Sequence, residues 1–574
     1  TFTATDITIQ GQASTAAVAT AGGISLSRGT GKGTNVGIGG AAAVNVLEGE
    51  VLAGIDGATT LTANSVDIDA IRDNTVVSIS AGLAGATGKK GIAVGGSVSV
   101  NLLDSDTNAF IRNIATSAVI NGAVSVNSRD ESLLIVIGGS GGFGGRAGVG
   151  IGVAYTSMDN SVSSEIDSIT SLKHLGNRDV TATADASIVA ISGSVGVATG
   201  SEKGFGVAGT VSINLLSMEV SATIADTITT SDSTGNIKVE ASDVSYIFAL
   251  AGALGVGKTV GLGAAIAIND MSNSVLATVE NSSLQSDGSF TVDAEEDATL
   301  TVITVGGAGS GKFAAGVGVS VNQIENNVGA YVIARQSEHD SDATSANVTI
   351  GEKVFVVTGH SAGGIVGNSY QYDGASALSS HNLSTTDFST SDWINLGAVN
   401  SSIIVDGAVK VEATDSVNAV VVTGGIGIAL NGTGIGAAVS VNLIENSTIA
   451  QVDNSTLEST TAGLDVTAIA DSSLVAVSVG AAGGKSFAFG GSVSVNELEN
   501  IIEAKVTGGS DLDAVNNINI QAADSTSMIV ISGGLAVGGS AVGAGVGTVE
   551  VDNQIRAQVV DSTVSSSAGN VNVT

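Results

Sequence analysis

Carboxylates recur along this chain at a nearly fixed spacing, and repeated carboxylates are the usual ligands of hard cations. Asp73, Asp130, Asp185, Asp243, Asp297, Asp415, Asp471 and Asp524 each stand just before an apolar stretch. A second acidic position holds Glu48, Asp104, Asp159, Glu325, Glu445 and Glu499. One reading places calcium between neighbouring acidic corners, with Asp73, Asp130, Asp185 and Asp243 as candidate ligands. The glycine-rich nonapeptide of calcium-binding β-rolls and the EF-hand loop are both missing from the sequence, however. The plainer reading makes each Asp a turn former that bonds its own backbone at a corner. No other cofactor is expected.

Catalytic constellations are sparse. The four histidines, His174, His339, His360 and His381, are scattered. Gly359-His360-Ser361-Ala362-Gly363 matches a nucleophile elbow letter for letter, but no helix follows it and the pattern requires a strand-to-helix turn. Gly252 to Thr259 matches a phosphate-binding loop, again without a following helix. A carboxylate pair for glycoside cleavage would break the repeat with unique acids and bases, whereas these acids follow it. The chain is therefore read as no enzyme, with a polysaccharide-active β-helix as the alternative.

The basic residues are better organised. Lys32, Lys89, Lys90, Arg146, Lys203, Lys258, Lys312 and Lys485 all sit on or beside glycine-rich turns, in a chain with 20 Lys plus Arg against 54 Asp plus Glu. Charged tips keep such turns soluble and block edge pairing. A basic ridge of this kind also suits the acidic flank of a neighbouring copy or an anionic polysaccharide. The aromatics cluster instead in one aperiodic segment, 335–399, which holds Tyr370, Tyr372 and Trp393, the only tryptophan. The rings serve either as the core of a small module or as a glycan-binding platform that stacks on sugar rings.

These residues must be positioned by a repeat. A Val/Ile-Asn marker recurs at Asn45, Asn101, Asn214, Asn269, Asn322, Asn442 and Asn496, with Thr156 and Val549 at the same phase. The steps are 53–58 residues, except that from 322 to 442, which contains the insertion. The organisation is therefore a repeat array over 1–334, an inserted β/loop module over 335–399 and a second array over 400–574. Within a unit the apolar period is two, so the elements are strands. Val77, Ile79, Ala81 and Leu83 lie on one side, with Ser78, Ser80 and Gly82 on the other. Two long strands around a Gly/Lys turn predict an antiparallel hairpin, and the short strands that follow suit solenoid coils. The expected fold is all-β, an elongated repetitive β-solenoid with a long Gly-rich hairpin in each unit. Nine units of two or three coils each would make a rod of roughly 80–130 Å.

Composition agrees. Proline is absent where about 29 would be usual, and an uninterrupted ladder of donated N–H groups has no place for it. Cysteine is also absent, Gly reaches 79 of 574 and the formal charge is −34. Disulfide scaffolds and thiolate metal sites are excluded, and so acidic a surface disfavours nucleic acid. No stretch reads as a spanning helix, so this segment is not expected to cross a membrane, and no signal peptide opens it. Ends that share one phase suggest a piece of a longer array.

The blocks GVGVSVNQIENN, GIGAAVSVNLIENSTIA and GGSVSVNELEN, with GAVKVEATD between them, resemble repeats of very large bacterial filamentous adhesins, the leukotoxin-type and filamentous-haemagglutinin-like surface proteins. The insertion, with Tyr370-x-Tyr372-x-Gly374 and the Asp387-to-Trp393 spacing, is distantly similar to some chitin-binding modules. The resemblance implies a β-helical stalk displayed on the surface of a Gram-negative bacterium, and no catalytic residues. The expected role is a structural segment of an extracellular adhesin or filament, with roles in adhesion and biofilm, acting as a stiff stalk and lateral interaction surface. Expected partners are other copies and cell-surface or matrix glycans. A self-assembling extracellular filament subunit is the remaining alternative.

Overall fold

Alternating β-branched and small residues run for more than 20 positions without a breaker, and they form strands of that length. In the computed structural model, which describes all residues except 30–32, 201–202, 335–338, 342, 357–359, 365–367, 375 and 399–400, each unit is a single coil. A first long strand (Ser65–Ala86 in the second coil) runs to a glycine tip, and a second (Ile92–Ile114) returns. A short strand (Ser117–Ile120) then leads into the next coil. Nine such coils stack among the described residues, and every strand of the stack pairs in parallel with its counterpart one coil away.

The β-solenoid expected from the periodicity is present, but the antiparallel hairpin is not. The two long strands of a unit do not pair with each other. They lie face to face as the two layers of a flattened coil, each laddered to the equivalent strand above and below. One coil per unit also corrects the dimensions. Nine coils at roughly 4.8 Å rise about 43 Å, while 21 residues at roughly 3.3 Å extend about 70 Å. The array is a slab, wider than it is tall.

The corner after the second long strand requires a left-handed residue in nearly every coil. Asn113, Ser168, Asp226, Asn281, Asn454 and Asp561 have φ between 44° and 59°, and Gly57 and Gly508 have φ near 70° at the same register. Asn, Asp and Gly tolerate this conformation best. The sixth coil has Ala334 there, and the insertion departs from that corner. Beyond it the array resumes in register: Asn322 donates to Asn442 at 2.7 Å across the 120-residue gap. This bond belongs to an internal ladder that includes Asn45–Asn101, Asn214–Asn269, Asn269–Asn322 and Asn442–Asn496, as the marker column requires.

The two halves of the slab are packed differently. Near the short strands the interior is apolar (Val66, Ile68, Ile111, Ile114) and the exterior acidic. Near the tips the interior holds Ser, Gly and Ala: Ser78 and Ser80 are at most 1% exposed, and the Ser78 and Ser99 hydroxyls bond across the layers at 2.6 Å. Here the layers nearly touch. A Cβ added at Gly306 would stand 1.8 Å from the Val317 carbonyl oxygen of the facing strand. Gly306→Val should therefore force the layers apart. The expected loss is about 3 kcal/mol, the upper end of ordinary overpacking, read as a lowered midpoint of chemical unfolding; an unchanged midpoint would contradict this packing.

Candidate interaction surface

The apolar residues displaced from the thin half lie outside. Ile79 and Leu83 are 37% and 40% exposed, with Val98 and Leu102 on the opposite layer similarly bare. Among the described residues, no outward position between the Thr75 register and the tip on the first strands carries a charge. The same holds from the tip to the Val100 register on the second strands. Because Ser78 faces Ser99, counting five residues back and five on sets outward Asp73 level with outward Asp104. Both layers thus change from acidic to apolar within two residues of one height, the second layer keeping Asp270, Glu497 and Glu550 at the Leu102 register.

At the tips stand Lys89, Lys90, Arg146, Lys203, Lys258, Lys312 and Lys485, all exposed, with Arg28 beside them in the first coil. Lys32 lies outside the described residues. The exposed basic residues of the acidic half lie against carboxylates instead, as in Arg112–Asp56 at 2.9 Å and Lys505–Glu503 at 2.6 Å, whereas buried Arg178 has no such partner.

The acid column is not a set of corners. Asp73 pairs with Glu131, not Asp130, so the column is two adjacent columns on opposite sides of the strand. Asp73 and Asp185 point outward, while Asp130 and Asp243 are buried mid-strand, so these four cannot share an ion. The second acidic position, Glu48 to Glu499, likewise runs along the outer face of the second strands. No group of three or more possible metal ligands occurs among the described residues.

Inside, Asp130, Asp243, Glu296, Asp415 and Asp524 form a polar waist that the sequence reading missed. Its partners come from a second Asn column four residues after the marker. Asn273 donates to Glu296 at 2.7 Å, Asn326 to Asp415 at 2.8 Å and Asn553 to Asp524 at 2.6 Å. The spacing ENN and ELEN carried that signal. Arg72 lies 3.9 Å from Asp130, but among the described residues no cation pairs with Asp243, Glu296 or Asp415. Burial pushes Asp415 up to about 7, and burial followed by the Asp243 charge raises Glu296 well above the carboxylate range.

In the insertion, Tyr370, Tyr372 and Trp393 are buried with Phe388, Val348, Val354 and Leu383. Trp393 stands edge-on to Phe388 at 4.8 Å and tilted on Tyr372 at 4.9 Å. The rings build a core, and the expected open platform gives way to a shallow cleft of about 310 Å³ where Tyr372 and Trp393 meet His381, Asp387 and Asp392. Trp393→Ala should cost about 3–5 kcal/mol of module stability. Limited proteolysis should then cut within 339–398 while the coils resist; unchanged resistance would show that the ring is not structural.

One further cluster forms only when coils stack. Glu50, Phe110, Arg112 and Glu165 line a 370 Å³ depression on the second layer. The Arg112 guanidinium lies 4.3 Å from the Phe110 ring centroid and 3.9 Å from Glu165, whose pKa is raised chiefly by burial. Searches against family models, curated proteins and solved structures found no match to this chain.

Proposed function

We propose that this chain is a structural segment of a large extracellular bacterial adhesin or surface filament, a stiff spacer whose sides are interaction surfaces. The observation that carries this reading is the parallel register, which runs through nine coils and resumes unshifted after the insertion. Such an array transmits force and spaces other parts through backbone ladders rather than through a loose core. The module then stands out from the slab at the sixth corner, held in part by Lys353 to Asp226 at 3.7 Å, and its cleft is the place for glycan contact. Imaging of the native material tests the proposal. A single long stalk containing slab-shaped segments supports it, whereas a continuous fibre with a regular axial repeat would favour the self-assembling subunit.

A polysaccharide-active role has one specific foothold, the Glu50, Arg112 and Glu165 cluster, because it joins two carboxylates and a cation on one solenoid face. Arg112 already bonds Asp56, which favours a structural use. Release of reducing ends from acidic glycans by wild type, lost in Glu165→Gln, would establish the enzyme.

A further inference from the structure

The apolar exterior of the tip half demands an occupant. Eleven outward residues per coil, six from the Thr75 to the Gly85 register and five from Ile92 to Val100, span about 33 Å of strand on the first layer and about 26 Å on the second. Over nine coils that is on the order of 1,100–1,400 Å² per layer, and monomeric soluble proteins rarely leave more than a few hundred Å² of contiguous apolar surface bare.

We propose that this half inserts into a lipid bilayer, with the acidic half remaining in water. Four observations converge on lipid. The apolar height matches a hydrocarbon core of about 30 Å, which strands of roughly 9–11 residues can cross. Both layers turn apolar within two residues of one level, as a flat membrane surface requires and a one-sided protein contact does not. Among the described residues, which exclude Lys32 and Glu202, the basic tips, Arg28 and Lys89 to Lys485, are the only charges beyond the band. They are placed to meet anionic headgroups of the far leaflet. Finally, an open apolar groove of about 1,410 Å³ runs over the first layer near the tips. Gly307 and Gly309 floor it, Leu254 and Val256 wall one side, and Ile426 and Ile428 wall the other, which is a bed for acyl chains.

Backbone chemistry is compatible. Within the stack the N–H and C=O groups are paired coil to coil, which hydrocarbon requires. The outermost coils would need cover from adjoining coils or a second copy, so insertion and lateral assembly are linked. The expectation that this segment stays out of membranes rested on helices, and among the described residues no helix is long and apolar enough to cross; that criterion does not address strands. The proposal rests on the band alone and stands or falls apart from the adhesin reading.

The absence of cysteine makes the test clean. Val98→Cys, Leu254→Cys and Asp69→Cys, each carrying an environment-sensitive fluorophore, are mixed with phosphatidylcholine vesicles with and without phosphatidylglycerol. Insertion predicts co-flotation, stronger with the anionic lipid, together with quenching by brominated acyl chains at 98 and 254 but not at 69. Ile79→Asp with Val98→Asp, both outward changes that leave the core intact, should abolish flotation while retaining the β circular dichroism signal. The proposal is overturned if wild type does not float, or if the labels at 98 and 254 are shielded without lipid while sedimentation shows stacked copies. The latter outcome assigns the band to a second copy of the chain.

Discussion

Arg178→Ile is expected to stabilise the coil array, by about 2–4 kcal/mol, read as a higher thermal midpoint and a higher midpoint in denaturant. Arg178 is fully buried, and its three guanidinium nitrogens have no hydrogen-bond partner. Burial draws its pKa down to about 9, so it remains charged at neutral pH. A buried charge without a partner costs several kcal/mol even after relaxation. The register shows what the position favours: the other eight coils place Ile7, Val66, Val124, Ile237, Phe290, Val409, Leu464 and Ile518 there. Isoleucine fits that column, and it removes the charge that, after burial, is the second cause holding His174 down to about 4. His174 should then titrate at a higher pH, which NMR can follow. A variant no more stable than wild type would mean that the guanidinium is solvated or paired in solution and that the column's apolar preference does not extend to the fourth coil.

The period, the strands and the Asn ladder were legible because each leaves its mark in column composition. Asn101, Asn214 and Asn269 can bond coil to coil only if they superpose, and the constant step between them says that they do. Strand partners were not legible. A glycine turn between two apolar strands ordinarily signals a hairpin, because the local partner is the cheaper one to find in entropy. Here the ladder partner of Ile79 is Ile137, 58 residues on, and nothing in the local sequence marks it. The acid columns failed for a different reason. Asp73 and Asp130 align by eye, but a one-residue offset in a strand reverses the side on which a residue lies, so one is wet and the other buried. Alternation alone also cannot say which side is inside. The side of Val77, Ile79 and Leu83 lies outside because the layers approach too closely for anything larger than Ser78, Ser80 and Gly82. The aromatic cluster stands out in the sequence as a departure from the period, yet ring exposure depends on packing within the module that residue types do not reveal.

The polar waist makes stability depend on pH in a direction opposite to that of most acidic proteins. The unfolded chain releases the Asp415 proton near the ordinary carboxylate value of about 4, whereas burial holds it on the folded chain up to about 7. Between those values the folded state binds the extra proton, so stability falls as pH rises through the window and stays low above it. Glu296 and Asp243 act in the same sense: Glu296 keeps its proton in contact with Asp243, and burial raises both. For Asp415 alone the penalty at neutral pH is on the order of 4 kcal/mol. The crowded outer acids add to the trend, since burial and then Glu412 and Glu240 push Asp293 up to about 6. Asp415→Asn isolates the internal share. Its amide oxygen can still accept from Asn326, and it has no charge to bury. The wild-type thermal midpoint should drop between pH 4 and pH 7, with a shallower drop in Asp415→Asn and the largest gap between the two at and above pH 7. Curves that run parallel across that range would show that the waist ionises freely, and hence that water reaches the middle of the slab.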